Sequence, residues 1–304
     1  MNRPLGVVVS LLSALSVFGV PQIGTAQIGT EQTSPWQSNP GQVDASLLAG
    51  LKARAIGPAG MSGRITSIDA LVADPNIVYL GTASGGLFRT ENAGLTFTPL
   101  FDDQPVSSIG AVAVNQDNPD LIWVGTGEGN PRNSASPGNG IYKSTDGGKT
   151  WQHLGLGDSE RIHRICLHPA DADVAYAGVL GKAWGDGSER GVYKTTDGGK
   201  TWSRTLYVDD KTGCCDLVMD PLNPDKLICG MWQFRRWPWS FKSGGPGSGL
   251  YVTHDGGKNW HKRTQDDGMP KGELGRIGVA IAASNPQIVY VLVEAKKNAL
   301  LKST

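Results

Sequence analysis

Two carboxylates stand in segments that could do chemistry, Glu128 and Asp186, with Glu189 three residues after the second. Hydrolysis of a glycosidic bond needs a pair of carboxylates flanking it, one to protonate the leaving oxygen and one to act as base or nucleophile. Around them lie groups suited to holding a ligand. Arg132, Arg190 and Arg235 offer planar guanidinium forks for carboxylates or other anions. Trp184, Trp237 and Trp239 offer indole faces for a sugar ring or a peptide side chain, each with an N–H as polar handle. These residues fall in three segments, 125–140, 179–190 and 231–248. The competing reading is plain packing, with Trp232 and Trp237 filling space between loops and Arg235 or Arg236 a solvated charge.

Three further aspartates, Asp146, Asp197 and Asp255, invite a catalytic reading and have a simpler explanation. Each sits in a repeated octapeptide: Ser144-Thr-Asp-Gly-Gly-Lys-Thr-Trp151, Thr195-Thr-Asp-Gly-Gly-Lys-Thr-Trp202 and Thr253-His-Asp-Gly-Gly-Lys-Asn-Trp260. A degraded copy, Thr90 to Phe97, has Asn92 in place of Asp. In a tight turn the carboxylate accepts backbone N–H groups, the glycines supply positive φ, and the tryptophans Trp151, Trp202 and Trp260 wedge between sheets. One turn chemistry accounts for every copy, so Asp146→Ala or Asp197→Ala should loosen the fold and leave a ligand site intact. Other motifs fail. Gly148-Lys149-Thr150 lacks the glycine a phosphate loop requires, since Lys143 holds that place. Gly244 to Gly249 contains Pro246 and leads into a strand, unlike a dinucleotide loop. His163 and His168 are five apart on a predicted strand, hence on opposite faces. The four cysteines have no CxxC spacing. Cys229 lies on a strand beside that of Cys215, where a bridge is conceivable and burial as small hydrophobes equally so. No metal site and no cofactor is expected.

The elements that position these groups follow from the same repeat. The octapeptides recur about 50 residues apart, the spacing of propeller blades. Between them stand three short β-rich runs per unit: 65–72, 77–81 and 86–89; 109–114, 121–125 and 140–143; 162–167, 174–178 and 191–194; 216–219, 227–230 and 249–252; and a fifth beginning 276–282 and 288–292. The expected fold is an all-β propeller of four-stranded blades, each octapeptide forming the hairpin between the third and fourth strands. Four blades and a truncated fifth are expected, part of a larger propeller spanning 51–304. Strand alternation puts the octapeptides and the Asp-Pro or Asn-Pro turns on one face, and the three loaded segments on the other, where long loops on a rigid scaffold tend to bind. Arg64, Arg161 and Arg276 each precede an Ile at the start of an innermost strand, a recurrence that suggests a channel lining, with ion pairing or anion binding as its use.

Composition limits the partners. Lys and Arg number 28 and so do Asp and Glu, giving a formal net charge of zero. A nucleic-acid binder would need a basic face, so no nucleic-acid partner is expected. Glycine is abundant, 42 residues without a collagen period, which fits turns. Residues 1–26 carry Arg3, the apolar run Leu5 to Val20 and the small residues Gly24-Thr25-Ala26, an export signal cleaved near Ala26. A polar linker, 27–50, follows. The mature chain is therefore expected to be secreted or periplasmic, with no integral membrane segment, and to take a glycan or peptide ligand.

The octapeptides, together with Ile56-Gly-Pro-Ala-Gly-Met-Ser-Gly-Arg64, Gly81 to Gly86 and Gly125-Thr-Gly-Glu128, resemble the Asp-box (BNR) repeat β-propeller family. Within it the chain is most similar to exported bacterial repeat proteins with sortilin-like or xyloglucanase-like repeats, often labelled glycosyl hydrolases. The resemblance implies a fold that hosts unrelated activities. A sortilin-like member would bind a peptide or glycan. A xyloglucanase-like member would carry a catalytic Asp on an early strand of the first blade, here in Arg64 to Asp69, with Asp69, Ser67 or Thr66 at that place and a second catalytic Asp beyond residue 304. The sialidase motif is matched only superficially by Phe234-Arg-Arg-Trp-Pro238.

Overall fold

A computed structural model describes residues 63–303. The export signal, the linker, the short helix expected over 44–54 and the Ile56 to Ser62 part of the family motif lie outside the described residues. Blade 1 contains β1 (Ile65–Ala70), β2 (Val78–Thr82), β3 (Leu87–Thr90) and β4 (Thr98–Pro99). Blade 2 contains β5 (Ile109–Val114), β6 (Ile122–Thr126), β7 (Ile141–Ser144) and β8 (Gln152–His153). Blade 3 contains β9 (Ile162–Leu167), β10 (Ala175–Val179), β11 (Gly191–Thr195) and β12 (Ser203–Leu206). Blade 4 contains β13 (Thr212–Asp220), β14 (Asn223–Trp237), β15 (Ser240–Ser243), β16 (Gly249–Thr253) and β17 (His261–Lys262). The fifth sheet contains β18 (Leu274–Ile281), β19 (Val289–Ala295) and β20 (Ala299–Lys302). Every pairing is antiparallel between chain neighbours, apart from the β14–β16 step that bypasses β15. The chain is all-β and its sheets are propeller blades, as the repeat predicts.

Each octapeptide is the hairpin between third and fourth strands. Asp146 Oδ1 accepts the backbone N–H of Lys149 (3.0 Å) and Thr150 (2.9 Å) and the Ser144 hydroxyl (2.7 Å), while Oδ2 accepts the Thr150 hydroxyl (2.6 Å). Asp197 and Asp255 repeat the pattern. Asn92 keeps the backbone bond, to Thr96 N at 2.9 Å, and turns its amide to the Thr96 hydroxyl. Gly148 is held at φ 87°, and a Cβ there would lie 2.9 Å from Leu100 of the preceding blade, so glycine is required twice over.

The box also joins blades. Trp151 Nε1 donates to Leu100 O of blade 1 at 2.7 Å, and Trp202 Nε1 to Leu154 O of blade 2 at 2.9 Å. Trp260 packs beside Cys229 and Leu227 without such a bond. A cation on the third strand of one blade reaches the box carbonyl of the next: Arg89 to Gly147 O, Lys143 to Gly198 O and Lys194 to Gly256 O. The core is a series of inter-blade layers, for example Trp123, Ile141, Ile162, Ala175 and Val179 between blades 2 and 3. Burial of such side chains is the main favourable term of folding.

These turns set an acid limit to stability. Hydroxyl and amide donors, led by the Thr150 and Thr201 hydroxyls, hold the Asp146 and Asp197 carboxyls down from 3.8 to about 2, and Asp255 is lowered by the same arrangement around Asn259. A depressed carboxylate contributes stability that is complete above its unfolded value and lost as pH falls through its folded one. The melting temperature should therefore drop steeply between pH about 4 and about 2, and less steeply when Asp146, Asp197 and Asp255 are all replaced by Asn. Thermal scans showing the same pH slope in wild type and the triple Asn variant would contradict the structural role of the boxes.

The sequence reading missed one element. Segment 231–248 is expected to be a loop, yet β14 runs on to Trp237, turns at Pro238-Trp239 and returns as β15, with Phe234 opposite Ser243, Arg235 opposite Lys242, Arg236 opposite Phe241 and Trp237 opposite Ser240. Of the two readings of the cysteines, the structure takes burial over a Cys215–Cys229 bridge. Cys229 Sγ lies 3.4 Å from Cys214 Sγ, whereas Cys215 points the other way, toward Ile277 O, and all four cysteines are free thiols.

Candidate functional site on the loop face

The inner strands β1, β5, β9, β13 and β18 stand side by side, and their entry ends carry Arg64, Arg161 and Arg276. Around these ends converge the segments 127–139 after β6, 180–190 after β10 and the β14–β15 hairpin after the inner part of β14. Arg236 Nε donates to Asn133 Oδ1 at 2.7 Å, the Arg236 backbone N–H to Ala183 O at 2.9 Å, and Arg276 NH1 to Asn130 Oδ1 at 3.1 Å. Loops of blades 2, 3 and 4 and the inner strand of the fifth sheet thus meet on one face.

The carboxylate candidates are each committed. Glu128 is fully buried and takes both forks of Arg64, Nε to Oε1 at 2.8 Å and NH2 to Oε2 at 2.7 Å. Its backbone N–H meets the Ser108 hydroxyl at 2.9 Å. Asp69 is on β1 and accepts Val114 N of β5 at 2.8 Å and Ala70 N at 2.9 Å, stitching blade 1 to blade 2. Burial pushes its carboxyl up from the ordinary value, against the pull of those two hydrogen bonds. Ser67 makes the analogous stitch to Val112 N, and Asp216 stitches blade 4 to Val279 N of the fifth sheet. Asp186 is half-exposed beside Arg235, 3.5 Å away.

The cations separate into structural and open groups. Arg190 is buried, donates to Leu180 O, Lys182 O and Gly185 O, and stacks 5.0 Å from the Phe234 ring. Desolvation lowers its pKa to about 10. Its sequence-level reading as a ligand contact gives way to a loop brace, since no donor faces solvent. Arg161 is likewise buried against Glu160 and Gly181 O. The Arg276 guanidinium meets Asn130 and His163 Nε2 (2.9 Å), over the Trp232 ring at 5.3 Å, while its backbone N–H donates to Glu294 Oε2 at 2.8 Å. His163 stays neutral because burial, then the charges of Arg164 and Arg276, hold its pKa well below the ordinary value. Gly129 makes room for it: a Cβ there would sit 2.0 Å from His163 Nδ1.

The hairpin divides two recesses. On one side lies a recess of about 370 Å³ between Arg64, Asn130, Arg132, Trp232, Phe241 and Arg276. On the other side lies one of about 310 Å³ between Asp186, Lys211, Gln233, Arg235, Trp237 and Lys242. Arg132 and Trp184 are exposed, and Trp239, at the hairpin tip, is 83% exposed. The structure therefore brings Arg64 and Arg132 to the inner recess, with Glu128 buried behind Arg64 and outside its lining, and Asp186, Arg235 and Trp237 to the outer one. Asp69 lies apart, at the junction of β1 and β5. Sequence reasoning missed Lys211, Lys242 and Asn130, whose placement depends on the hairpin register and on the meeting of three blades. Among the described residues no helix is long and apolar enough to cross a membrane, and no cluster of three or more His, Cys, Asp or Glu could hold a metal ion.

Comparison with known proteins gives a consistent placement. A xyloglucanase of Paenibacillus sp is 28% identical over 248 residues, 71% of this chain and 22% of that protein. The oligoxyloglucan-reducing end-specific xyloglucanase of Emericella nidulans is 25% identical over 219 residues, 65% of this chain and 24% of that protein. The chain thus spans under a quarter of the length of these two relatives. Among solved structures, an ancestral GH74 enzyme superposes with a TM-score of 0.57 at 20% identity, covering 79% of this chain and 30% of its own. The Niastella koreensis GH74 enzyme gives 0.52 at 23% identity, covering 75% of this chain and 35% of its own. Identities this low establish the shared fold and nothing finer. The profile described as "Sortilin, neurotensin receptor 3" matches residues 139–298, more than half of the 304 residues and including three of the intact or degraded boxes, and the chain belongs to the Sortilin-Vps10 family.

Proposed function

We propose that this chain is the ligand-binding part of an exported propeller that recognises a glycan on its loop face. The observation that carries the reading is the exposed indole of Trp239, at the tip of the hairpin whose strands line the two recesses and which Arg236 braces to the blade 2 and blade 3 loops. A bare indole that large is not packing material in this fold; stacking on the apolar face of a pyranose is its natural use. The xyloglucanase relatives support a glycan over a peptide. Export rests on the signal-like residues 1–26, and the division into signal, linker (27–50) and propeller (51–304) belongs to the same proposal. A second reading, a glycoside hydrolase whose second carboxylate lies outside this chain, is favoured by those relatives alone.

The test is titration calorimetry of the purified protein with xyloglucan oligosaccharides. Trp239→Ala should weaken binding by about tenfold, since truncating a stacking aromatic at a binding surface commonly costs about 1–2 kcal/mol, while leaving the melting temperature unchanged. Binding that survives in Trp239→Ala, or a preference for peptides over every glycan tried, would overturn the reading.

A further inference from the structure

The outer face of the β14–β15 hairpin holds an arrangement that folding does not explain. Residues alternate along the two strands, so Gln233, Arg235 and Trp237 of β14 share one face with Lys242 of β15. Arg235 and Lys242 are direct cross-strand partners. Like charges in that relation destabilise a hairpin. Lys211 adds a third cation to the same recess, its carbonyl held toward Phe234 N. Among the described residues the only carboxylate lining it is Asp186, half-exposed and at the long distance of 3.5 Å from Arg235. Arg235 Nε is buried with no hydrogen-bond partner, and its guanidinium lies 5.5 Å from the centre of the Trp237 ring. In a chain whose formal net charge is zero, three cations facing one carboxylate in a recess of about 310 Å³ is a local departure that an anionic ligand would relieve.

We propose that this recess binds an acidic glycan, a chain bearing uronic-acid carboxylates, which deepens and rests on the glycan reading above. A planar carboxylate matches the fork of Arg235 and can be shared with Lys242 across the strand pair. The Trp237 ring offers an apolar wall to the adjacent pyranose, and the Gln233 amide lies within the same recess to meet hydroxyls. A formal net charge of zero argues against a nucleic-acid backbone as the ligand, and the three cations gather in one recess of about 310 Å³.

The experiment compares an oligogalacturonate with a neutral xyloglucan oligosaccharide of similar length on the full chain, by calorimetry at low and high salt. The expected result is tighter, salt-sensitive binding of the oligogalacturonate, weakened about tenfold in R235Q/K242Q with neutral-oligosaccharide binding unchanged. K211Q, on a separate segment, should weaken the acidic ligand alone and serves if the double variant melts early. Neutral binding without any acidic preference overturns this proposal and leaves the glycan reading standing. Loss of both ligands in wild type overturns both. Equal displacement by single-stranded DNA, or equal affinity in R235Q/K242Q, also overturns it, because the recess would then be an unselective positive patch or no site.

Discussion

Replacing Arg64 by Ala is expected to lower the unfolding free energy by about 3 kcal/mol, the low end for breaking a buried ion pair. Glu128 has no exposed side-chain surface, and both its oxygens are satisfied by Arg64. Removing the arginine strands a carboxylate inside the blade 1–blade 2 contact. Removing the carboxylate does less, because the Arg64 side chain is 37% exposed and can turn to water. Glu128→Gln keeps the shape and one acceptor and should cost about 1 kcal/mol. Urea unfolding of the two variants measures the order. Equal losses, or a larger loss for Glu128→Gln, would mean that the pair is not buried as described. The expected asymmetry also bears on function: a buried carboxylate with both oxygens held by an arginine presents neither of them to a substrate, whatever loop it occupies.

The fold was legible because its signals are local. Each box carries its own turn chemistry within eight residues, and the three intact copies at 146, 197 and 255 set the blade period by themselves. Strand limits agree to within a residue or two in blades 1 to 3, since Ile-rich runs and Gly or Asp-Pro turns bracket them. The β14–β15 hairpin was not legible. Its turn, Pro238-Trp239, has none of the Asn-Gly or Asp-Gly signature of tight hairpins, and its strands are rich in charge. One signal was present: Trp232 and Phe234 alternate with Gln233 and Arg235, the period of a strand with one face turned inward.

The site was legible only as a set of segments. That 125–140, 179–190 and 231–248 share a face follows from strand alternation, and they do meet through Arg236, Asn133 and Ala183. Which residues pair across blades is set by geometry between sheets, which no local pattern encodes. Arg64 and Glu128 are 64 positions apart, and Arg276 and Asn130 are 146 apart. Arg190 shows the converse failure. A loop arginine reads as a ligand contact until the carbonyls of Leu180, Lys182 and Gly185 are found curled around it.

The largest expected effect concerns catalysis: the 304-residue chain should show no glycosidase turnover, where a working site accelerates hydrolysis by many orders of magnitude. A retaining site needs two carboxyls about 5–5.5 Å apart and an inverting one about 6.5–9.5 Å, each free to exchange a proton with substrate or water. Glu128 is closed off by Arg64. Asp69 has one oxygen on Val114 N of the neighbouring inner strand and the other on Ala70 N, so both its oxygens are engaged by backbone donors. Asp186 is open to water, yet it lies 3.5 Å from Arg235, and no second candidate carboxyl lines the outer recess with it. No two of the three are free, and the Asp-box aspartates are on the opposite end of the blades, bound into their turns. The assay sets the purified protein against xyloglucan, β-glucan and sialosides beside Glu128→Gln and Asp186→Asn. Turnover abolished by either substitution would place an acid or nucleophile where the structure shows a counter-ion, and would favour the hydrolase reading over the proposed glycan-binding one.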